Sequence, residues 1–212
     1  MPVVKNYHYE DIPAWSELKK YERLKVIRNT TPLHYINQYD NCEIFVLSGS
    51  CKITDSSGTV TELSANEHGP ILTKEFDISA KHGYFIDSCD IVVLCGKWEY
   101  AKIGLFRVDQ FENPINNGSP CGYYRNSGFD NHYHDFDEMW IIVKGSGVAM
   151  TEDKLYEVEA GDCVLTRKGN NHDYPIVHMY TEAICFENLP RGLGRSGHLW
   201  IQRDGINVPE TS

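Results

Sequence analysis

Apolar positions along this chain come in short runs rich in β-branched and aromatic side chains, cut by Gly, Asn, Asp and Ser, a pattern that predicts strands joined by turns. Strands are expected over 33–39, 43–47, 51–54, 60–63, 71–73 and 91–94, then over 103–108, 139–143 and 198–202. One stretch reads as a short helix, 15–23 after Pro13, and the basic cluster from Lys19 to Lys25, interrupted by Glu22, reads as its exposed face. The turn-rich segment 113–120, with Pro114, Gly118 and Pro120, separates the earlier strands from the later ones.

The strand pattern repeats. SGSCKIT (48–54) lies over KGSGVAM (144–150), each after an apolar run; ELSANE (62–67) lies over EVEAGD (157–162), and ILT (71–73) over VLT (164–166). A repeat of this length is a domain rather than a solenoid unit. The expected organisation is a lead-in with the short helix over 1–30, a first β domain over 31–110 and a second over 111–212.

Composition fits that picture. The chain has 212 residues, 41% of them hydrophobic and 12% aromatic, enough for buried cores. No apolar run reaches the roughly eighteen residues of a membrane helix, and Met1 to Glu10 lacks the basic-then-apolar pattern of a secretory leader, so the chain as given is expected to be cytoplasmic. A net charge of −10 argues against a nucleic-acid surface, which needs clustered cations. The 7 cysteines, with no CxxC pair, read as buried free thiols of a reducing compartment, with a reservation for Cys163, which lies close to the candidate chemistry.

That chemistry is concentrated in His132-x-His134-x-x-x-Glu138, followed at a distance by His172. Side chains at i and i+2 of a strand leave on one face, so His132 and His134 can converge on one ion. Nitrogen ligands with a carboxylate suit a divalent transition metal, and this set leaves adjacent positions of an octahedral shell open for water, substrate or dioxygen. Around it, Arg125 can pair with a substrate carboxylate or phosphate, Tyr123 shares its strand face, and Tyr174 and His178 follow His172 as acid or base candidates. Arg167 and the loop carrying Arg191 and Arg195 are weaker substrate-binding candidates, and that loop lacks the strand and helix of a phosphate cradle.

The segment GFDNHYHDFDEMWIIVKG (128–145), with GDCVLTRKGNNH (161–172), resembles the two motifs of the cupin superfamily. The spacing before His132 is short and Arg167 replaces a proline of the second motif, but neither departure touches a ligand position. The resemblance implies an all-β fold of two tandem cupin jelly-roll barrels, a bicupin, with the short amino-terminal helix, and a metal held by His132, His134, Glu138 and His172. It implies iron first, with manganese, nickel, cobalt or zinc as alternatives. In the first copy Cys42 falls where Glu138 stands, so that barrel is expected to lack metal; a set of His34, Cys42 and His82 is the alternative. The expected function is a metal-dependent enzyme on a small oxygen-rich substrate, an iron-dependent dioxygenase by the family's habits. A Lewis-acid isomerase, epimerase or lyase of a sugar or hydroxy acid, and a non-enzymatic binding barrel, are the alternatives. Unpaired edge strands suit a homodimer.

Overall fold

A computed structural model describes residues 3–4, 25–30, 32–81, 89–98, 100–108, 132–189, 199–201 and 207–209, and every regular element among them is a strand. The helix expected over 15–23 lies outside the described residues. The chain divides into two compact units, one formed by His8–Trp98 and the other by Met1–Tyr7 together with Glu99–Ser212.

The unit His8–Trp98 contains β2 (Lys25–Thr30), β3 (Leu33–Ile36), β4 (Asn41–Ser48), β5 (Ser50–Asp55), β6 (Val60–Ser64), β7 (His68–Pro70), β8 (Glu75–Ala80) and β9 (Asp90–Gly96). They form two four-stranded sheets, ordered β2-β9-β4-β7 and β3-β8-β5-β6. Period-2 alternation sends Cys42, Ile44 and Val46 of β4 and Ile91, Val93 and Cys95 of β9 to one face, where they meet Tyr35, Cys51, Ile53, Phe76 and Ile78 of the other sheet in a single buried cluster. β8 was not expected. The expected strand 71–73 is a connection instead, with Leu72 94% exposed. The alternation Phe76, Ile78 against Glu75, Asp77, Ser79 supplies a strand face that 71–73 lacks, since only Ile71 of that segment packs against the core.

The other unit contains β1 (Val3–Val4), β10 (Tyr100–Val108), β11 (Asp137–Thr151), β12 (Lys154–Glu159), β13 (Cys163–Thr166), β14 (His172–Leu189), β15 (Leu199–Ile201) and β16 (Asn207–Pro209). The main sheet runs β1-β13-β11-β14-β10, with β12 paired to β11, while β15 and β16 form a separate ribbon. β10 pairs with β14 over its whole length, from Tyr100 opposite Leu189 to Val108 opposite Thr181, so it belongs here and not to the domain expected to end at 110. Its apolar pattern alone cannot choose a partner strand, because register is set by the face it must bury. For the same reason Lys25–Thr30, expected as lead-in, pairs with β9, and Val3–Val4 pairs with β13.

Strand β11 runs on past the apolar segment 139–143, with register shifts near Lys144 and Ser146. Gly145 sits at φ 83° against the Tyr180 carbonyl, where a Cβ would clash, which is why the strand can bend there only through glycine. Glu152 and Asp153, both at positive φ, close the hairpin to β12. On the inward face Trp140, Ile142, Ala149, Val158, Val164, Tyr174, Ala183 and Cys185 form the core.

Candidate metal centre

The inward alternation that places Trp140 and Ile142 in the core also sends Glu138, at the start of β11, to that side. His172 opens β14 and is tied to His132 by paired backbone bonds, His132 N to His172 O at 3.2 Å and His172 N to His132 O at 2.8 Å. Gly169, at φ 81°, turns the chain before His172, and its amide donates to the carbonyl of His134 at 2.7 Å. Backbone bonds from both sides thus dock the second segment against the first. Ring centroids of His132, His134 and His172 lie 4.3–4.9 Å apart. Phe136 stacks on His134 at 4.5 Å and limits its rotation.

The donor atoms converge. Glu138 Oε2 lies 2.7 Å from His134 Nε2 and 3.3 Å from His172 Nε2. Two donors each about 2.1 Å from one ion at adjacent octahedral positions stand about 3 Å apart, so these separations suit metal ligation. Glu138 Oε2 and His172 Nε2 are buried and neither makes a hydrogen bond among the described residues. His172 Nδ1 faces the Asn170 carbonyl at 3.2 Å; that oxygen only accepts, so the neutral ring keeps its proton on Nδ1 and turns the Nε2 lone pair toward the carboxylate. A lone pair facing a carboxylate oxygen in a buried site calls for a cation. The residues fit a metal.

Behind the ligands, Glu138 Oε1 accepts from Trp140 Nε1 and from Cys185 Sγ at 3.1 Å, which leaves Oε2 aimed at the histidines. Burial pushes the Glu138 carboxyl up, but His134 and His172 beside it outweigh burial and hold it well below the usual carboxylate range. Burial works to lower His172, and the Glu138 carboxylate outweighs it, so His172 sits above its ordinary value.

The four expected ligands, His132, His134, Glu138 and His172, come together; the other expected residues divide. Tyr174 lies buried in the core, its hydroxyl 3.2 Å from Thr181 Oγ1, and burial pushes it up to about 12. His178 is not brought to the cluster: it is exposed and pairs with Glu157 at 3.0 Å, because the register shifts in β14 carry it to the outer surface. Arg167 is half-buried in the turn before Asn170. Tyr123, Arg125, His82, Arg191 and Arg195 lie outside the described residues. His34 is exposed on β3 and bonds Asp77 at 2.7 Å while Cys42 is in the core, so these two do not share a site. Cys163 is fully buried, with burial pushing its thiol up.

Two residues near the centre were missed. Cys185 and Glu187 share the inward face of β14, and their ligand-capable atoms lie within 4.8 Å of each other and of Glu138. The signal was present, since alternation from Ala183 through Cys185 puts Glu187 on the core side of an apolar strand. Only the pairing of β14 with β11 brings that face up to Glu138.

A family profile described as the AraC-like ligand binding domain matches residues 121–181. The chain is 29% identical over 201 residues to the uncharacterized protein y4oW of Sinorhizobium fredii, covering 91% of this chain and 88% of that protein. Among solved structures it is similar to vicilin from hazelnut, Corylus avellana, at TM-score 0.57 and 10% identity, over 91% of this chain and 81% of vicilin. It is also similar to the Lactobacillus farciminis oxalate decarboxylase, at TM-score 0.51 and 10% identity, over 79% and 77% of the respective chains. These likenesses support a fold of the cupin superfamily. At such identities they speak to fold and not to activity.

Proposed function

We propose that the chain is a metal-dependent cupin enzyme acting on a small oxygen-rich metabolite, with an iron-dependent dioxygenase as its first reading. The two units are then tandem barrels, and the metal belongs to the carboxy-terminal one. The observation that carries this is the pair of unbonded buried atoms, Glu138 Oε2 and His172 Nε2, set among the imidazoles of His132 and His134. When bound, a divalent metal supplies a Lewis acid with open positions for a chelating substrate and, if it is iron, a redox partner for dioxygen.

The chain's own residues do the rest. His132, His134, His172 and Glu138 hold the ion, and Trp140 and Cys185 hold Glu138 in the orientation that ligation needs. Phe106 stacks on Trp140 at 5.5 Å and Tyr174 packs on both, making an apolar wall behind the ligands that excludes water from that side. Six buried cysteines, none in a disulfide among the described residues, suit a cytoplasmic protein.

The AraC-like ligand-binding match favours a second reading, in which the site clamps a small ligand without turning it over. Elemental analysis of the purified protein, with no metal added, tests both readings beside Glu138→Ala and His132→Ala. Near-stoichiometric iron lost in both variants, with oxygen uptake on a metabolite panel, is the expected result. Zinc, manganese or nickel redirects the reading to isomerase or lyase chemistry, and stoichiometric metal without turnover on any substrate favours the ligand clamp. Metal at background level overturns the enzyme.

A further inference from the structure

The strand registers lay out one polar row across the inward face beside the metal ligands. Lys102 of β10 stands opposite Glu187 of β14, Glu187 opposite Glu138 of β11, and Glu138 opposite Thr166 of β13. Lys102 shares its strand face with Phe106, which stacks on Trp140, so Lys102 leaves its backbone on the inward side. Exposure grades along the row: Glu187 is 1% exposed, whereas Lys102, on the edge strand, is half-buried. Neither residue is needed for the four-ligand set.

We infer that Lys102 and Glu187 form the substrate-recognition edge of this centre and select a small hydroxy acid carrying one negative charge. The inference rests on the metal reading above and adds the substrate class to it. Lys102 is the cationic side chain that the registers place in this row, so its ammonium offers a seat for one anionic group beside the ion. Donor and acceptor types agree with this. Ammonium only donates and so takes the ligand's carboxylate; the Glu187 carboxyl offers acceptor oxygens and so takes its hydroxyl. A simple sugar has no carboxylate for that ammonium, and the second carboxylate of a dicarboxylate meets no further cation in the row.

The test uses the full chain loaded with cobalt(II), whose visible absorption reports both the ion and changes at its open positions. Glycolate, acetate and ethylene glycol are the probes. Glycolate is expected to bind about tenfold more tightly than either of the others, as one charge-assisted hydrogen bond commands. Lys102→Met should weaken glycolate and acetate about tenfold and leave ethylene glycol unchanged, with Lys102→Gln as the second variant should the first fold poorly. Glu187→Gln should weaken glycolate and ethylene glycol while sparing acetate, and both substitutions should keep the cobalt content of the unsubstituted protein. Unchanged glycolate affinity in the Lys102 variants overturns the inference, as does loss of cobalt in Glu187→Gln, which would make Glu187 part of the ion's own support. Failure of the unsubstituted chain to hold cobalt sinks the metal reading itself. Cobalt held with no preference for glycolate sinks the substrate class alone.

Discussion

The two units carry the same strand pair with opposite chemistry on it. Counted back from the positive-φ glycines Gly49 and Gly145, Cys42 and Glu138 occupy the same place in β4 and β11. Their cross-strand partners correspond too: Cys42 faces Cys95, and Glu138 faces Glu187. In the unit His8–Trp98 the result is a neutral cluster, with Cys95 Sγ 3.5 Å from Cys42 Sγ and Tyr35 Oη 3.4 Å from Cys95 Sγ. The bond to Cys95, then burial, pushes the Cys42 thiol up; burial, then Cys95, does the same to the Tyr35 hydroxyl. The Cys42 thiol and the Tyr35 hydroxyl therefore stay uncharged. In the other unit two carboxyl groups occupy the same register, and the buried carboxylate of Glu138 is tolerable only with cations or imidazoles around it. A register therefore specifies where side chains meet, and the residue types alone specify whether the meeting place is packing or a site.

The sharpest way to break this comparison is to put the charge where no partners exist. Cys42→Glu should destabilise its unit by about 3–5 kcal/mol, the cost of an uncompensated buried charge, read as a loss of the corresponding transition in urea unfolding. A tolerated Cys42→Glu, with unchanged unfolding, would mean that the first unit hides compensating groups and the contrast is false.

Next in size is the support of Glu138, the proposed metal ligand. Trp140→Phe keeps the ring against Phe106 but removes the donor to Glu138 Oε1, and metal affinity should fall about 10–100-fold in a competition titration with a chelator. The thiol unit offers no counterpart, so the same assay on Tyr35→Phe should show no change in metal content.

The pH response should also separate the units. Glu138 is held below its unfolded value, so its contribution to the metal-free fold is present above about pH 4.3 and is lost as pH falls through the depressed folded value. His172 is held above its unfolded value, so its contribution is complete below about pH 6.5 and fades as pH rises through the folded value. Metal requires His172 without its Nε2 proton, so stabilisation by added metal should grow as pH rises through that range, while the metal-free protein weakens. Thermal melts from acid to mildly alkaline pH, with and without chelator, will show this. A metal-induced Tm shift that is flat with pH would remove His172 from the ligand set.

The smallest effect belongs to the thiol cluster. Tyr35→Phe deletes one hydrogen bond to Cys95 and should cost about 0.5–1.5 kcal/mol in urea unfolding of its unit. A cost several times larger would reveal a buried network rather than a packed pair.

Much of this was legible beforehand, for identifiable reasons. His132, His134 and Glu138 fall close together beside the apolar run 139–143, which local patterns encode well, while His172, far along the chain, is joined to them by the resemblance of 161–172 to the second cupin motif. The correspondence of Cys42 with Glu138 followed from the internal repeat, and their shared inward-facing place is consistent with it. Alternation marks Cys185 and Glu187 as inward positions of their strand, but their place beside Glu138, and that of Lys102 beyond them, depends on which strands lie next to β11. His178 read as a neighbour of His172 only because sequence distance ignores the register shifts along β14.

The sequence by itself determined the residue types of the proposed ligands, the strand periodicity and the absence of charge at Cys42, since these are properties of residues and their immediate spacing. The tertiary structure alone decided that β10 joins β14, that Lys102, Glu187, Glu138 and Thr166 form one row, and that His172 docks on His132. Pairing between strands far apart in the chain is selected by the whole buried face at once. No local run of residues carries that information.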